Sequence, residues 1–377
     1  MRILPLLFLP AILAHQAVLQ YATDPLFPLA KTLLGYGQAI SPFSIAASLA
    51  NLNNANGENK QIRDKVFLGI PREVVNTWFS GLLGQMSRDN VSYVSRIYYA
   101  NSSWPTPEFT DRSWNLFNTD AVLIDFCSLS ARTDIDGFLS DATRGQINTI
   151  VTNDDIVCGT KFVVLNAVVV RMRFRTPFHD FCGTGSGFLE TLRRSGRPDC
   201  NLRSMQPGFY YESGDFKYGE LLLEDSNYTL FVMFSETDSE LFEALKNHTN
   251  EVAKWYPKIR FTLPRITTES FLDLSRFFDG FGVLPGSRSD DYPPNRAFHK
   301  VNQVIRSRPK AAVQTKFELN EYGINVPYQA FRIRDAVDEN ANETYPKVEP
   351  EKAFIYGVKF QGTPIVIGRS HGRHRFG

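Results

Sequence analysis

An α+β domain is what this sequence predicts, and three observations predict it. Strand-like and helix-like segments are interleaved without the regular β-α-β alternation that builds a parallel sheet. Residues 162–170, Phe-Val-Val-Leu-Asn-Ala-Val-Val-Val, form a nearly unbroken β-branched apolar run, the pattern of a strand buried on both faces. No composition shift, fixed-period repeat or low-complexity stretch divides the chain, so one domain over residues 18–369 is expected.

The elements follow in order. Apolar residues at helical spacing run from Pro28 to Gly35. Residues 41–50 read as a helix with Ser41 as its cap and Pro42 in the first turn, where a missing N–H costs nothing. Val91 to Ala100 alternates as a strand and Val122 to Phe126 is a second short one. Thr133 to Leu139 is helical. After the buried strand at 162–170, residues 209–211, 218–223 and 229–234 read as a run of strands, with a helix over Asp238 to Lys246. Ile259 to Pro264 is a strand and Ser270 to Phe278 a helix. The polar segment from Ser287 to Asn295, with two prolines, is loop. Thr315 to Asn320 alternates polar and apolar. A polar stretch, Arg332 to Lys352, separates it from two terminal strands, 354–360 and 364–369, joined by a turn. Some twenty structureless residues inside a compact domain are unusual and are commonly functional.

Composition sets the outer limits. The net charge is +1, which gives no global reason to expect a nucleic acid partner. There is no His-Glu-x-x-His, Gly-x-Ser-x-Gly or phosphate loop, so an enzyme is not expected, nor a metal or cofactor. Arg2 followed by the apolar run Ile3 to Ala14 fits a secretory signal peptide over residues 1–17, too short to span a bilayer. Five Asn-x-Ser/Thr triplets, at Asn90, Asn101, Asn227, Asn247 and Asn342, favour a glycosylated, secreted, extracellular protein. The four cysteines, Cys127, Cys158, Cys182 and Cys200, are compatible with two disulfides, and sequence leaves all three pairings open.

Several segments, in order along nearly the whole chain, resemble the serpin family. Ser41-Pro42-Phe43-Ser44-Ile45 is similar to its Ser-Pro-x-Ser-Ile helix start. Ile135 to Ile147 keeps Thr143, Gly145 and Ile147 of a second motif, with Asp136 in place of Asn and Phe138 in place of Trp. Asn166-Ala167 followed by Phe174 and Phe178 resembles the buried strand and aromatic pair, Phe174 replacing Trp. Leu263-Pro264-Arg265, with Leu272, Phe277 and Phe281-Gly282-Val283, resembles a further segment. Phe317 to Gly323 resembles the hinge, and Phe354 to Arg369 the terminal hairpin.

The resemblance implies three β-sheets, about nine helices and an exposed reactive loop between Gly323 and Phe354. It also implies a monomer whose partner is an extracellular protease or another protein ligand. In inhibitory members a protease acylates itself on this loop. The loop then inserts as a new central strand, drags the protease away and distorts its active site, spending stored strain. Family spacing would put the scissile bond near Val337. Arg332 and Arg334 are the basic residues that a trypsin-like protease could cut.

Insertion needs small residues after the hinge, because alternate side chains must enter a packed sheet. Inhibitors of the family carry Thr and then a run of Ala. This chain, after Glu321 and Gly323, has Ile324-Asn325-Val326-Pro327-Tyr328-Gln329. Ile324 and Val326 are bulky but apolar. Pro327 lacks the N–H that a central strand donates, so full insertion is disfavoured. Val313 stands where the family usually has a histidine of the sheet-opening region. The expected function is therefore a secreted binding protein impaired in loop insertion. The alternative is an inhibitor using residues 324–353 as bait. A basic tail, residues 370–377, extends past the hairpin. With Arg369, its Arg373 and Arg375 offer a site for sulfated glycans.

Overall fold

A computed structural model describes residues 25–35, 38–55, 59–86, 88–149, 156–181, 201–237, 241, 243–244, 253–282, 310–327, 345–350 and 352–370. Among them the helices are α1 (Leu26–Leu33), α2 (Pro42–Asn53), α3 (Lys60–Lys65), α4 (Arg72–Gln85), α5 (Pro107–Phe117), α6 (Ala131–Ala142) and α7 (Ser275–Asp279). The strands are β1 (Ala39–Ile40), β2 (Val91–Tyr99), β3 (Asp120–Leu123), β4 (Phe162–Val170), β5 (Met172–Arg173), β6 (His179–Phe181), β7 (Asn201–Ser213) and β8 (Phe216–Leu222). They continue with β9 (Tyr228–Phe234), β10 (Lys254–Leu263), β11 (Ile266–Asp273), β12 (Lys310–Asn320), β13 (Gly323–Ile324), β14 (Lys347–Val348), β15 (Phe354–Phe360) and β16 (Thr363–Ser370). The signal segment and the basic tail lie outside the described residues.

One sheet has the order β3-β2-β4-β12-β13-β5, with β11 also on β12. The other runs β1-β16-β15-β9-β8-β7-β10-β14, with β6 also on β7. The class is thus α+β, but with seven helices and two sheets among the described residues rather than nine and three. Strand β7 explains the sheet count. Its thirteen residues pair with β10 over 202–210 and with β8 over 208–213, joining the strands on its two halves into one sheet. Of the expected helices, residues 238–246 fall largely outside the described set. Ser270–Phe278 is split: Ser270 to Asp273 finish strand β11, and Ser275 to Phe278 lie in the short α7.

The chain divides into two compact units. The first contains residues 41–169 and 270–315. In it α2 is buried along its whole length, and the Ser41 hydroxyl accepts from the Ser44 N–H at 3.1 Å, as the cap requires. All nine residues of β4 are buried. Ile135 and Leu139 of α6, with Ile147 beyond its end, share a buried cluster with Val94 of β2, Val163, Leu165 and Val169 of β4, and Ala312. Each such buried aliphatic contributes about 2 kcal/mol of transfer free energy. A disulfide, Cys127–Cys158, closes a ring of sequence separation 31 that contains α6. Cys182 and Cys200 lie outside the described residues.

The second unit contains residues 30–40, 170–269 and 316–377, and so the whole nine-stranded sheet. Its interior includes a charged cluster. The Lys359 ammonium, fully buried, donates to the Tyr218 hydroxyl at 2.6 Å and to Glu220 at 3.1 Å. Burial opposes ionisation of Glu220, but the Lys359 charge and the hydrogen bonds from Thr229, Tyr218 and Lys359 together outweigh it and hold the carboxyl below its usual range.

Loop closure by Cys127–Cys158 restricts the unfolded chain, so Cys127→Ser with Cys158→Ser should cost about 3 kcal/mol. Denaturant unfolding of the oxidised parent and the double variant measures this, and equal midpoints would contradict it.

Candidate functional site

The hinge is built where β12 ends. Asn320 closes the turn: its Oδ1 accepts from the Tyr322 N–H at 2.9 Å and the Gly323 N–H at 3.2 Å, while its Nδ2 donates to the Val326 carbonyl at 2.8 Å. Such self-bonding is why Asn favours turns. After a two-residue turn, Glu321-Tyr322, the chain reverses and Gly323–Ile324 form β13. This strand runs antiparallel to both neighbours, with Leu319 opposite Ile324 on β12 and Met172 opposite Ile324 on β5. The first residues after the hinge therefore already occupy a strand position inside the sheet.

Gly323 is required there by close approach. A Cβ at that position would overlap the Met172 carbonyl oxygen and stand 2.8 Å from the Arg173 Cα, both of them backbone atoms. Ile324 is fully buried, so the sheet face onto which its side chain points admits a bulky aliphatic group. Asn325, only 4 % exposed, turns the chain out of the sheet with φ of 48°, a left-handed conformation that Asn tolerates better than most residues. Val326 is half-buried and Pro327 exposed.

The turn is clamped from a second direction. The Phe178 N–H donates to the Glu321 carbonyl at 2.8 Å and the Phe174 N–H to the Tyr322 carbonyl at 2.9 Å. The two phenylalanine rings pack with centroids 4.7 Å apart. The Glu321 side chain, 8 % exposed, takes both terminal nitrogens of Arg265, one of them at 2.8 Å. Arg265 also donates to Asp180 at 2.6 Å. Burial of Glu321 disfavours its charge, but the bidentate bond and charge of Arg265, with a backbone hydrogen bond and Asp180, together outweigh this and leave its carboxyl below the usual range. For Arg265, burial likewise works against the charge, and the two carboxylates raise its pKa regardless.

Glu321, Gly323, Ile324, Val326 and Pro327 are thus brought together at the end of β12. Arg332, Arg334, Val337 and Tyr328 lie outside the described residues, as do Asn247, Asn342, Arg373 and Arg375. Val313 is a buried residue of β12. Asn101 and Asn227 sit on exposed turns, and Asn90 is half-exposed before β2. Arg369 is 5 % exposed within β16, which leaves its guanidinium little opportunity to meet a polyanion. Three contributors escape a reading of the sequence: Asn325, whose taste for left-handed φ was the available signal, and Arg265 with Asp180, whose convergence depends on tertiary structure. Among the described residues there is no group of three or more His, Cys, Asp or Glu able to hold a metal ion.

A protein-family model described as serpin (serine protease inhibitor) matches residues 29–285, stopping before the hinge. Plasminogen activator inhibitor 1 of Sus scrofa is 22 % identical over 352 residues, covering 87 % of this chain and 84 % of that protein. Two solved structures share the fold. Tengpin, a thermophilic serpin in its native state, superposes with a TM-score of 0.74 at 16 % identity, covering 95 % and 94 % of the two chains. Serpin48 of the insect Tenebrio molitor gives 0.70 at 16 % identity, covering 98 % and 99 %.

The Glu321–Arg265 contact sets a pH expectation. A carboxyl whose folded pKa is depressed adds stability above its unfolded pKa and loses it as pH falls through the folded value. Glu321→Gln should cost about 2 kcal/mol at neutral pH. It should also remove part of the acid loss of stability between about pH 6 and pH 3. Thermal unfolding across that range reads both effects, and a variant with the parent's slope would contradict the assignment.

Proposed function

The chain belongs to the serpin family, and from that premise we propose that it is a secreted extracellular binding protein whose reactive loop does not complete insertion. Membership places it among serine protease inhibitors and their relatives; the hinge supports the narrower reading. One observation carries it: the chain leaves the sheet at Asn325, directly after Ile324, and Pro327 stands exposed outside. To continue the strand, Asn325 would have to abandon its left-handed φ. The chain would then have to pass a proline through a central position, where its missing N–H costs a ladder bond and its ring adds a steric conflict.

The apolar leader and the five sequons, with Asn101 and Asn227 on exposed turns, support secretion and glycosylation. Residues 18–369 form the working part, and Arg373 and Arg375 in the tail are a secondary candidate for sulfated glycans. The ligand class is an extracellular protein. The alternative, a protease inhibitor baiting with residues 324–353 through Arg332, Arg334 or Val337, draws on one feature: a residue as large as Ile324 is accommodated in the strand between β12 and β5.

Thermal unfolding of the secreted protein before and after one proteolytic cut within residues 328–344 separates the two. Arrested insertion predicts midpoints that agree within about 2 °C. A large rise after cleavage would mean that the loop inserts past Pro327 and would favour the inhibitor.

A further inference from the structure

We propose that the Asn325 side chain is the stop that halts the hinge strand, by making in advance the hydrogen bonds that the next inserted residues would make. This rests on the reading that insertion is arrested, and it names the group responsible.

The register decides the matter. With Leu319 opposite Ile324, Glu318 falls opposite Asn325 and Lys316 opposite residue 327. In an antiparallel ladder of this phase, Asn325 and Glu318 would exchange two N–H···O bonds, and residue 327 would donate to the Lys316 carbonyl. The first bond is present, the Asn325 N–H donating to the Glu318 carbonyl at 2.8 Å. The second is usurped: the Glu318 N–H donates at 2.9 Å to Asn325 Oδ1, where a continuing strand would offer the Asn325 main-chain carbonyl. The Lys316 carbonyl, which residue 327 would need to reach, accepts from Asn325 Nδ2 at 3.1 Å. The same nitrogen donates to the Val170 carbonyl at the end of β4, at 2.7 Å.

One carboxamide thus uses its acceptor and both donors on backbone groups. It supplies Lys316 with the donor that Pro327 cannot provide. Asn325 and Pro327 form a matched pair, one capping the strand from inside the sheet and the other unable to displace it. The left-handed φ of 48° is what lets the Asn325 backbone turn away while its side chain stays in the ladder.

The test uses the full secreted chain with Asn325→Gly, which removes the carboxamide yet accepts positive φ, with Pro327→Ala, and with both together. Each form is cut once within residues 328–344, and melting is compared before and after. The parent and both single variants should show no rise. The double variant, with an N–H at 327 and no carboxamide in its way, should rise by about 10 °C or more. A rise in Pro327→Ala alone equal to that of the double variant would overturn the proposal, because the proline would then be the whole barrier. No rise in a double variant whose uncut form melts cooperatively would overturn it as well, while leaving the binding-protein reading in place. A rise in the parent itself would overturn both. Should Asn325→Gly fail to fold, Asn325→Ser with Pro327→Ala replaces it, with the same outcomes.

Discussion

A buried carboxamide has one oxygen and two N–H groups to satisfy, and away from water it must satisfy them from the surrounding protein. Asn325 does so at the place where β12 and the end of β4 face each other, through Glu318, Lys316 and Val170. Each bond is worth only about 1 kcal/mol net, but leaving these groups unmet in the sheet interior would cost more than the bonds return. The hinge conformation is therefore held mainly by the penalty for leaving it. Its supports follow from that requirement. Asn320 shapes the turn that delivers the chain to β13, Gly323 lets the backbone lie against Met172, and Phe174 and Phe178 take up the carbonyls of the turn.

Charge secures the same corner. Glu321 is desolvated at the tip of the turn, a position that only a strong partner makes tolerable, and Arg265 meets it bidentately while holding Asp180. Breaking such a pair from one side leaves an uncompensated charge in a dry place. Residues from β6, from the β10–β11 junction and from the hinge are bound in one cluster, so the turn cannot move without disturbing all three.

Much of the fold was legible where local pattern and burial agree. Phe162–Val170 reads as a two-faced buried strand and is one, and Ser41-Pro42 starts a helix as the capping rules require. Ser270–Phe278 misleads in its first half, which is strand, for a physical reason. In β11 the inward face is carried by Ile266, Thr268, Ser270 and Leu272, whereas Phe271 points outward at 47 % exposure. Hydropathy there does not follow burial, and the apolar spacing imitates a helix. The turn that ends β12 was legible in the segment Phe317 to Gly323, and Pro327 as a residue unsuited to a central strand. The role of Asn325 was not, because a polar residue between Ile324 and Val326 acquires its meaning only from the register that sets Glu318 and Lys316 beside it. Arg265 was visible as part of a motif but mute about Glu321, 56 residues away in sequence.

The hinge of the intact protein is thus already a short strand that ends at Asn325. Residue-resolved amide hydrogen exchange on the uncut chain tests this most directly. The Asn325 N–H, bonded to the Glu318 carbonyl, should exchange at the slow rate of the Phe317 and Leu319 amides of β12, with the Val326 N–H about a hundredfold faster or more. Asn325 exchanging at the rate of an exposed loop would contradict the claim and return the hinge to an open loop.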